Sequence, residues 1–187
     1  KFREHAEKMQ AEFMEADVLG IEDMGDLKLV KTAEGDYEAK AVIIASGASH
    51  SHLGVPGEEE LSGMGVSYCA TCDGAFFRGK TVAVVGGGDV AVEDAIFLAR
   101  ACEKVYLIHR RDSLRAAQSL QNTMLALPNV EVCWNSVVES INGDGKVQSI
   151  TLLHKNGGQK NELAVQGVFI AVGIRPNSER FITNIEA

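Results

Sequence analysis

The sequence lacks the features that typify membrane proteins, nucleic-acid-binding proteins and secreted disulfide-rich proteins. It has no apolar run near the ~20 residues that a membrane span needs, and no basic-then-apolar leader opens the chain. It has no run of five like charges, and its formal net charge of -8 disfavours binding to nucleic acid or to an anionic membrane. Only four cysteines occur among 187 residues, which suits a reducing compartment. We therefore expect a cytoplasmic protein that binds neither nucleic acid nor membrane.

What the sequence does contain is enough apolar residues to build a core. The hydrophobic residues make up 45% of the chain, which is sufficient for one domain, or for one domain and part of another. The chain begins at Lys1 rather than at a methionine. We expect it to be a piece of a longer protein.

Cys69 and Cys72 are separated by two residues. Such a pair can close a small disulfide ring, and the ring opens again by accepting two electrons. A metal site would need further ligands, and the remaining candidates are scattered along the chain: His50, His52, Cys102 and Cys133. We therefore expect a redox-active pair and no metal, with the two histidines solvated in a loop and the two lone cysteines in the core.

A glycine-rich turn at residues 86–89 lies between an apolar, strand-like run and a segment with helical periodicity. In this context Gly86-x-Gly88-x-x-Ala91 is typical of a dinucleotide-binding turn. The first glycine makes the turn, Gly88 lets a pyrophosphate approach the backbone, and Ala91 lets the helix lie close to the strand. The phosphates would meet the free N–H groups of a helix that begins near Asp89.

Basic residues at the end of the next predicted strand favour NADPH over NADH. NAD-binding proteins place an acidic residue there, about 20 residues after the turn, to hold the ribose 2′-hydroxyl, whereas NADP-binding proteins place arginine. Here the strand is followed by Arg110 and Arg111, and we predict that Arg115 lies one helical turn further on. Guanidinium groups bind phosphate in a bidentate manner. Because cations oppose the dipole at a helix N-terminus, we expect an anion to bind beside these arginines.

Three segments, in this order and at similar spacing, resemble the motifs of low-molecular-weight thioredoxin reductases. They are Cys-Ala-Thr-Cys-Asp-Gly at residues 69–74, Gly-Gly-Gly-Asp-x-Ala-x-Glu at residues 86–93, and His-Arg-Arg-Asp-x-x-Arg-Ala at residues 109–116. Residues 45–48 and 173–177 resemble the segments in which that family's chain passes between its flavin and nucleotide domains. The resemblance covers nearly the whole chain.

The resemblance implies a role for individual residues. Cys72 would be the sulfur nearest the flavin, and Cys69 the sulfur that attacks the partner disulfide. Asp73 would donate a proton, which agrees with the chemistry, since a sulfur that leaves a disulfide departs as thiolate. Ser46 and Gly47 would lie close to the flavin, although the family usually has threonine where this chain has serine. The residues expected to hold NADPH are Gly86, Gly88, Asp89, Ala91, His109, Arg110, Arg111 and Arg115.

The resemblance further implies an NADPH-dependent flavoprotein disulfide reductase. Such an enzyme passes electrons from NADPH through FAD and the Cys69–Cys72 pair to thioredoxin or a similar protein disulfide. We expect a homodimer when the protein is full length. Two alternatives stay open: the flavoprotein subunit of an alkyl hydroperoxide reductase, and a non-redox NADP(H)-binding module whose cysteines are structural.

The predicted fold is α/β, with a Rossmann-like doubly wound nucleotide-binding domain, an antiparallel β meander and remnants of a second, flavin-binding domain. We predict a partial FAD-binding domain at residues 1–52, an NADPH-binding domain with the cysteine pair at 53–174, and the start of a return to the FAD-binding domain at 175–187. Within these we predict a buried strand at 41–45 and a short acidic helix at 58–61. Since the only dinucleotide fingerprint is the one assigned to NADPH, we expect this chain alone to bind NADPH, retain little or no FAD and transfer no electrons unaided.

Overall fold

The computed structural model describes residues 1–182 and shows two compact units. The larger unit is His50–Ile174, and the smaller one combines Lys1–Ser49 with the chain from Arg175 onward. Residues 183–187, the last part of the predicted return segment, lie outside the described residues. No helix within residues 1–182 is long and apolar enough to cross a membrane.

The larger unit is built on a five-stranded parallel sheet. Its strands are β5 (Val66–Ser67), β6 (Thr81–Gly86), β7 (Lys104–Ile108), β8 (Val130–Cys133) and β12 (Gly167–Ala171). Their order in space is β5-β12-β6-β7-β8. Successive residues of β6 face opposite sides of the sheet, because side chains alternate along a strand. Val82 and Val84 belong to one core cluster, and Ala83 and Val85 belong to another. Both faces of the sheet are therefore covered.

Helices cover one face of this sheet and an antiparallel meander covers the other. The helices are α2 (Ala70–Asp73), a 3₁₀ turn (Gly74–Phe77), α3 (Asp89–Ala99) and α4 (Gln118–Leu125). The meander strands are β9 (Ser136–Gly143), β10 (Val147–His154) and β11 (Lys160–Ala164), in the order β11-β10-β9. Cys102 is buried among the helices and Cys133 packs against the meander side. The predicted α/β class, parallel sheet and meander are confirmed.

The smaller unit contains a three-stranded antiparallel sheet whose strands are paired in chain order. Its elements are α1 (Phe2–Lys8), β1 (Val18–Asp23), β2 (Lys28–Thr32), β3 (Asp36–Ala39) and α5 (Glu179–Ile182). Two further short strands, β4 (Ala48–His50) and β13 (Ile174–Pro176), lie where the chain passes from one unit to the other.

Two predicted elements are wrong. Residues 41–45 are not a strand, and Ile43 is 92% exposed. A strand needs a hydrogen-bonded neighbour, and none of the described strands lies alongside this apolar segment. Residues 58–61 form turns instead of a helix. There the Glu58 carboxylate accepts hydrogen bonds from the preceding loop, which holds the backbone in a non-helical path.

Candidate active site

A cavity of about 410 Å³ lies at the carboxyl ends of β6, β7 and β12. Ligands of open α/β sheets bind outside this end of the strands. Residues from the glycine-rich turn and from the segment after β7 meet in its lining: Gly86, Gly87, His109, Arg110, Arg111 and Arg115. The structure thus brings together residues that the sequence places more than twenty positions apart.

The glycines of the turn serve two different purposes. A Cβ atom on Gly86 would lie 2.5 Å from the Ala171 carbonyl oxygen and 2.6 Å from the Ala91 Cβ atom, so only glycine fits there. Ala91 is itself completely buried, as close packing of α3 on the sheet requires. Gly88, by contrast, is the N-cap of α3, and a Cβ atom there would have nothing within 4 Å. The open space beside Gly88 leaves room at the helix N-terminus for an anion such as a pyrophosphate.

His109 is buried beneath the glycine-rich turn, with 6% of its surface exposed. One ring nitrogen, Nδ1, lies 2.8 Å from the Gly86 carbonyl oxygen, and Nε2 lies 2.9 Å from the Ser113 carbonyl oxygen. A Cβ atom on Gly87 would lie 2.2 Å from the ring, so the backbone packs directly on the imidazole. His109 therefore positions the turn against the segment that carries the arginines.

The arginine loop, residues 110–117, is irregular, and α4 begins only at Gln118. The prediction that Arg115 lies in a helix is therefore wrong. Its backbone N–H donates to the Gly87 carbonyl oxygen at 2.8 Å, and the Ala117 N–H donates to Asp89 Oδ1 at 2.7 Å. These bonds use donors that a helix would need, and they hold the loop against the glycine-rich turn. Asp89 has a positioning role in this arrangement.

The three arginines form a group of exposed cations at one cavity. Among the described residues, no carboxylate lies within 4 Å of the guanidinium groups of Arg110, Arg111 or Arg115. Like charges brought to one cavity repel each other unless an anion joins them. A phosphate group offers the oxygen geometry that guanidinium groups bind in a bidentate manner. The residues present therefore have the chemistry to hold a phosphorylated nucleotide such as NADPH.

Cys69 and Cys72 are joined by a disulfide bond at the start of α2. Cys69 precedes the helix, and its Sγ atom accepts a hydrogen bond from the Cys72 N–H at 3.2 Å. Asp73 is the last residue of the same short helix, so the three predicted catalytic residues lie within one helical turn. Neither cysteine lines the cavity described above. Sequence reasoning did not find Ser67, whose hydroxyl donates to Asp73 Oδ2 at 2.7 Å.

Sequence reasoning also did not find Glu58, which is 3% exposed and joins the loop after β4 to the segment before the cysteines. Its Oε2 atom accepts the Gly54 N–H at 2.7 Å, and its Oε1 atom accepts the Leu53 N–H at 3.1 Å. Oε1 also accepts the Tyr68 hydroxyl at 2.7 Å and lies 3.2 Å from His52 Nδ1. The only sequence feature near Glu58 is the acidic run that follows Pro56 and Gly57, and acidic runs are usually solvated.

Burial and hydrogen bonding act in opposite directions on Glu58. Burial disfavours its charged form, but the hydrogen bonds from Tyr68, Leu53 and Gly54 outweigh burial and lower the pKa of Glu58 below its usual value. Burial, followed by the neighbouring Glu58 carboxylate, raises the pKa of Tyr68 well above its usual value. His52 is thus in contact with a carboxylate and a phenol, and its side chain is 66% exposed. No set of three His, Cys, Asp or Glu side chains within the described residues is arranged to hold a metal ion.

Ser46 and Gly47 lie in the smaller unit and do not line the cavity. The Ser46 hydroxyl donates to the Asn177 carbonyl oxygen at 3.0 Å, and the Gly47 carbonyl accepts the Asn177 N–H at 2.9 Å. Within residues 1–49 and 175–182 there is no strand followed by a glycine-rich turn and a helix, the arrangement that grips the pyrophosphate of FAD. These described residues alone do not form a complete FAD site.

The profile of the pyridine nucleotide-disulphide oxidoreductase family matches residues 2–186. The chain belongs to this family. The family binds FAD and NAD(P). Thioredoxin reductase from Bacillus subtilis (strain 168) is 47% identical over 191 residues, a match that covers 100% of this chain and 60% of that protein. Thioredoxin reductase from Streptomyces clavuligerus is 46% identical, over 96% of this chain and 56% of that protein.

Solved structures give the same result. The crystal structure of Lactococcus lactis thioredoxin reductase in its FR conformation superposes with a TM-score of 0.82 at 42% identity, covering 96% of this chain and 59% of that one. Thioredoxin reductase from Streptococcus pyogenes gives a TM-score of 0.77 at 47% identity, over 98% of this chain and 60% of that one. The resemblance inferred from the motifs is confirmed. The chain spans less than two thirds of the length of each of these relatives.

Proposed function

We propose that the chain is the NADPH-binding and disulfide-carrying part of a flavoprotein disulfide reductase of the thioredoxin reductase kind. One observation carries the proposal: the Cys69–Cys72 disulfide lies in the same compact unit as the glycine-rich turn and the cavity with three arginines that have no counterion within residues 1–182. A disulfide opens by accepting two electrons, and NADPH supplies two electrons as a hydride. The similarity to thioredoxin reductases supports thioredoxin, or a thioredoxin-like protein, as the partner.

In this proposal each part of the chain has its own task. Residues 53–174 are the NADPH-binding domain, while residues 1–52 and 175–187 belong to an FAD-binding domain that Ser46 and Gly47 help to form. NADPH binds beside Gly86 and Gly88 and at the arginine loop. The buried Ala91 lets α3 pack close to the sheet, and Asp89 and His109 position the turn and the loop. FAD, if held by the flavin-binding part of the longer protein, would supply the two-electron chemistry that connects NADPH with the disulfide. We further propose a cytoplasmic homodimer for that longer protein.

The reduced cysteine pair then reduces the partner by thiol–disulfide exchange. The Cys69 thiolate attacks one sulfur of the partner disulfide, and the other partner sulfur leaves as thiolate. Cys72 next attacks Cys69, which re-forms the Cys69–Cys72 disulfide and releases the partner as a dithiol. Asp73 accepts the proton of the attacking thiol and donates one to a departing thiolate, so that electrons and protons balance.

The test uses the longer protein with its complete flavin domain. With NADPH supplied, we expect two new thiols that react with DTNB, followed by reduction of oxidised thioredoxin. Cys69→Ser and Cys72→Ser should each abolish transfer to thioredoxin, whereas Cys133→Ser, at a half-buried lone cysteine, should not. If NADPH binds but neither thiols nor reduced thioredoxin appear, the chain is a nucleotide-binding module with structural cysteines, and the proposal fails.

A further inference from the structure

Ser67 occupies an unusual place for a serine, since it ends β5 and is 5% exposed. Its backbone is fixed by parallel pairing with Phe169 in β12. A buried hydroxyl has to find hydrogen-bond partners, because water does not reach it. Its partners are Cys69 and Asp73, which both belong to the segment that carries the cysteine pair.

The contacts of the Ser67 hydroxyl have a definite direction. Its proton faces Asp73 Oδ2 at 2.7 Å, a much shorter contact than the one to the Cys69 carbonyl oxygen at 3.3 Å. In the other direction, the hydroxyl oxygen accepts the Cys69 N–H at 3.1 Å. One side chain therefore links the backbone of the first cysteine to the carboxylate that follows the second.

This arrangement distinguishes the two oxygens of Asp73. Oδ2 is held by Ser67, while Oδ1 has no hydrogen-bond partner among the described residues. A carboxylate anchored through one oxygen presents the other in a fixed direction, and proton transfer requires the donor and acceptor to be held within hydrogen-bond reach. The groups that exchange protons in the proposed reaction are the sulfurs of Cys69, which precedes α2, and of Cys72, which lies within it.

We propose that Ser67 is a positioning residue for proton transfer, which anchors Asp73 so that its free Oδ1 atom serves the thiols of Cys69 and Cys72. This inference rests on the proposed function, in which Asp73 is the acid and base. When the reduced pair attacks a disulfide, Oδ1 takes the proton of the Cys69 thiol, the new sulfur–sulfur bond forms, and the leaving thiolate receives that proton from Oδ1. Ser67 itself exchanges no proton and stays bound to Oδ2.

The experiment follows exchange between the reduced chain and hydroxyethyl disulfide, whose alkyl thiolate needs a proton on leaving. Rates are measured by quenching with an alkylating agent between pH 5.5 and 9.5. Ser67→Ala should slow the exchange by about three- to tenfold below pH 7, the effect of one lost hydrogen bond. The loss should disappear near pH 9, where the thiolate forms without a base. Ser67→Thr keeps the hydroxyl and should restore the wild-type profile.

A double-mutant cycle identifies the route of the effect. Ser67→Ala combined with Asp73→Asn should be no slower than Asp73→Asn alone, because Ser67 acts only through Asp73. Ser149→Ala serves as the matched control, since Ser149 is a similarly buried serine, hydrogen-bonded to Glu162 within the meander. It should leave the pH profile unchanged.

Three results separate this inference from the proposed function. Additive losses in the double variant, or an equal loss at every pH, would overturn the role of Ser67 and leave that of Asp73 intact. A wild-type profile for Asp73→Asn would instead remove the proton role of Asp73. Should Ser67→Ala fail to fold, the near-isosteric pair Ser67→Thr and Ser67→Val is decisive, because equal rates for the two would exclude a need for the hydroxyl.

Discussion

The Nδ1 atom of His109 lies 2.8 Å from the carbonyl oxygen of Gly86. This contact joins the end of β7 to the end of β6 at the point where the glycine-rich turn begins. Through its other ring nitrogen, His109 also reaches the Ser113 carbonyl in the arginine loop. The turn and the loop are thus held as one surface, and the nucleotide meets a site in which both parts are already in place.

The first prediction concerns the choice of nucleotide. Replacing Arg110 and Arg115 together with alanine should weaken NADPH binding by at least about 100-fold, because each charge-assisted hydrogen bond is worth about 1.5–3 kcal/mol. NADH lacks the 2′-phosphate, so its affinity should hardly change. Titration calorimetry at low salt measures both dissociation constants, with Arg100→Ala, an exposed arginine after α3, as control. An equal loss for the two nucleotides would contradict the assignment of these arginines.

The second prediction compares two glycines of the same turn. Gly88 has a φ of -93° and open space beside it, so Gly88→Ala should change the free energy of unfolding by less than about 0.5 kcal/mol. The added methyl group should nevertheless weaken NADPH binding by about tenfold or more, because it occupies the approach to the helix N-terminus. Gly86→Ala should instead destabilise the fold by about 1–3 kcal/mol, since its methyl group overlaps Ala171 and Ala91. Chemical denaturation measures the loss of stability, and calorimetry measures the loss of NADPH affinity. A stable Gly88→Ala variant with normal NADPH affinity would contradict the predicted role of Gly88 in binding.

The third prediction concerns Asp94, a half-buried carboxyl on α3 with no hydrogen-bond or ion-pair partner within the described residues. Burial, followed by the charge of Glu93, raises the pKa of Asp94 to about 6. A raised pKa in the folded state means that protonation favours folding, so this contribution is complete below the ordinary pKa near 4 and is lost as the pH rises through about 6. Asp94→Asn should therefore stabilise the protein by about 1–2 kcal/mol at pH 7.5, allowing for partial solvent screening.

The advantage of Asp94→Asn should vanish below pH 4, because both side chains are then neutral. Urea denaturation at pH 7.5, 5.5 and 3.8 measures it. Glu93→Gln, at the exposed neighbour, provides the comparison and should give a smaller gain at pH 7.5. A constant difference at all three values would show that charge is not the cause.

The fourth prediction concerns Glu58, whose pKa lies below its usual value because hydrogen bonds outweigh its burial. A lowered pKa stabilises the folded state above the ordinary value near 4.3, and the contribution is lost as the pH falls through the folded-state pKa. Glu58→Gln should therefore cost about 1–3 kcal/mol at pH 7, since an amide accepts fewer hydrogen bonds at this buried position. The cost should shrink as the pH falls below 4. Thermal and urea unfolding of Glu58→Gln beside the exposed control Glu59→Gln test this, and similar losses in both variants would contradict it.

The sequence alone predicted most elements of the larger unit, because their periodicity was strong. The run Val82-Ala83-Val84-Val85 has the composition of a strand buried on both faces, and the structure places it near the centre of the sheet. β5 was not predicted, since two residues carry no periodicity. The strand predicted at 41–45 failed for a different reason: apolar composition shows that a segment can be a strand but does not show whether a neighbouring strand is present.

The functional site, like the fold, could be predicted only in part from the sequence. The glycine-rich turn, the arginines and the cysteine pair belong to sequence-local motifs, and so they were found in advance. Glu58 and Ser67 are ordinary surface residue types by composition. Their importance comes from buried contacts with Gly54 and Asp73, and the geometry of such contacts emerges only when the chain has folded. Likewise, the irregular path of the arginine loop depends on backbone bonds to Gly87 and Asp89.

The place of β12 in the sheet has a consequence for synthesis. β12 lies between β5 and β6, and it pairs Val168 with Val66, a residue translated about a hundred positions earlier. As the nascent chain leaves the ribosome, both neighbours of β12 present an open edge until residues 167–171 arrive. The cysteine pair follows directly after β5, so it emerges before its supporting strand is secured. We therefore expect the segment that carries the cysteine pair to become fully ordered only after residues 167–171 have been translated.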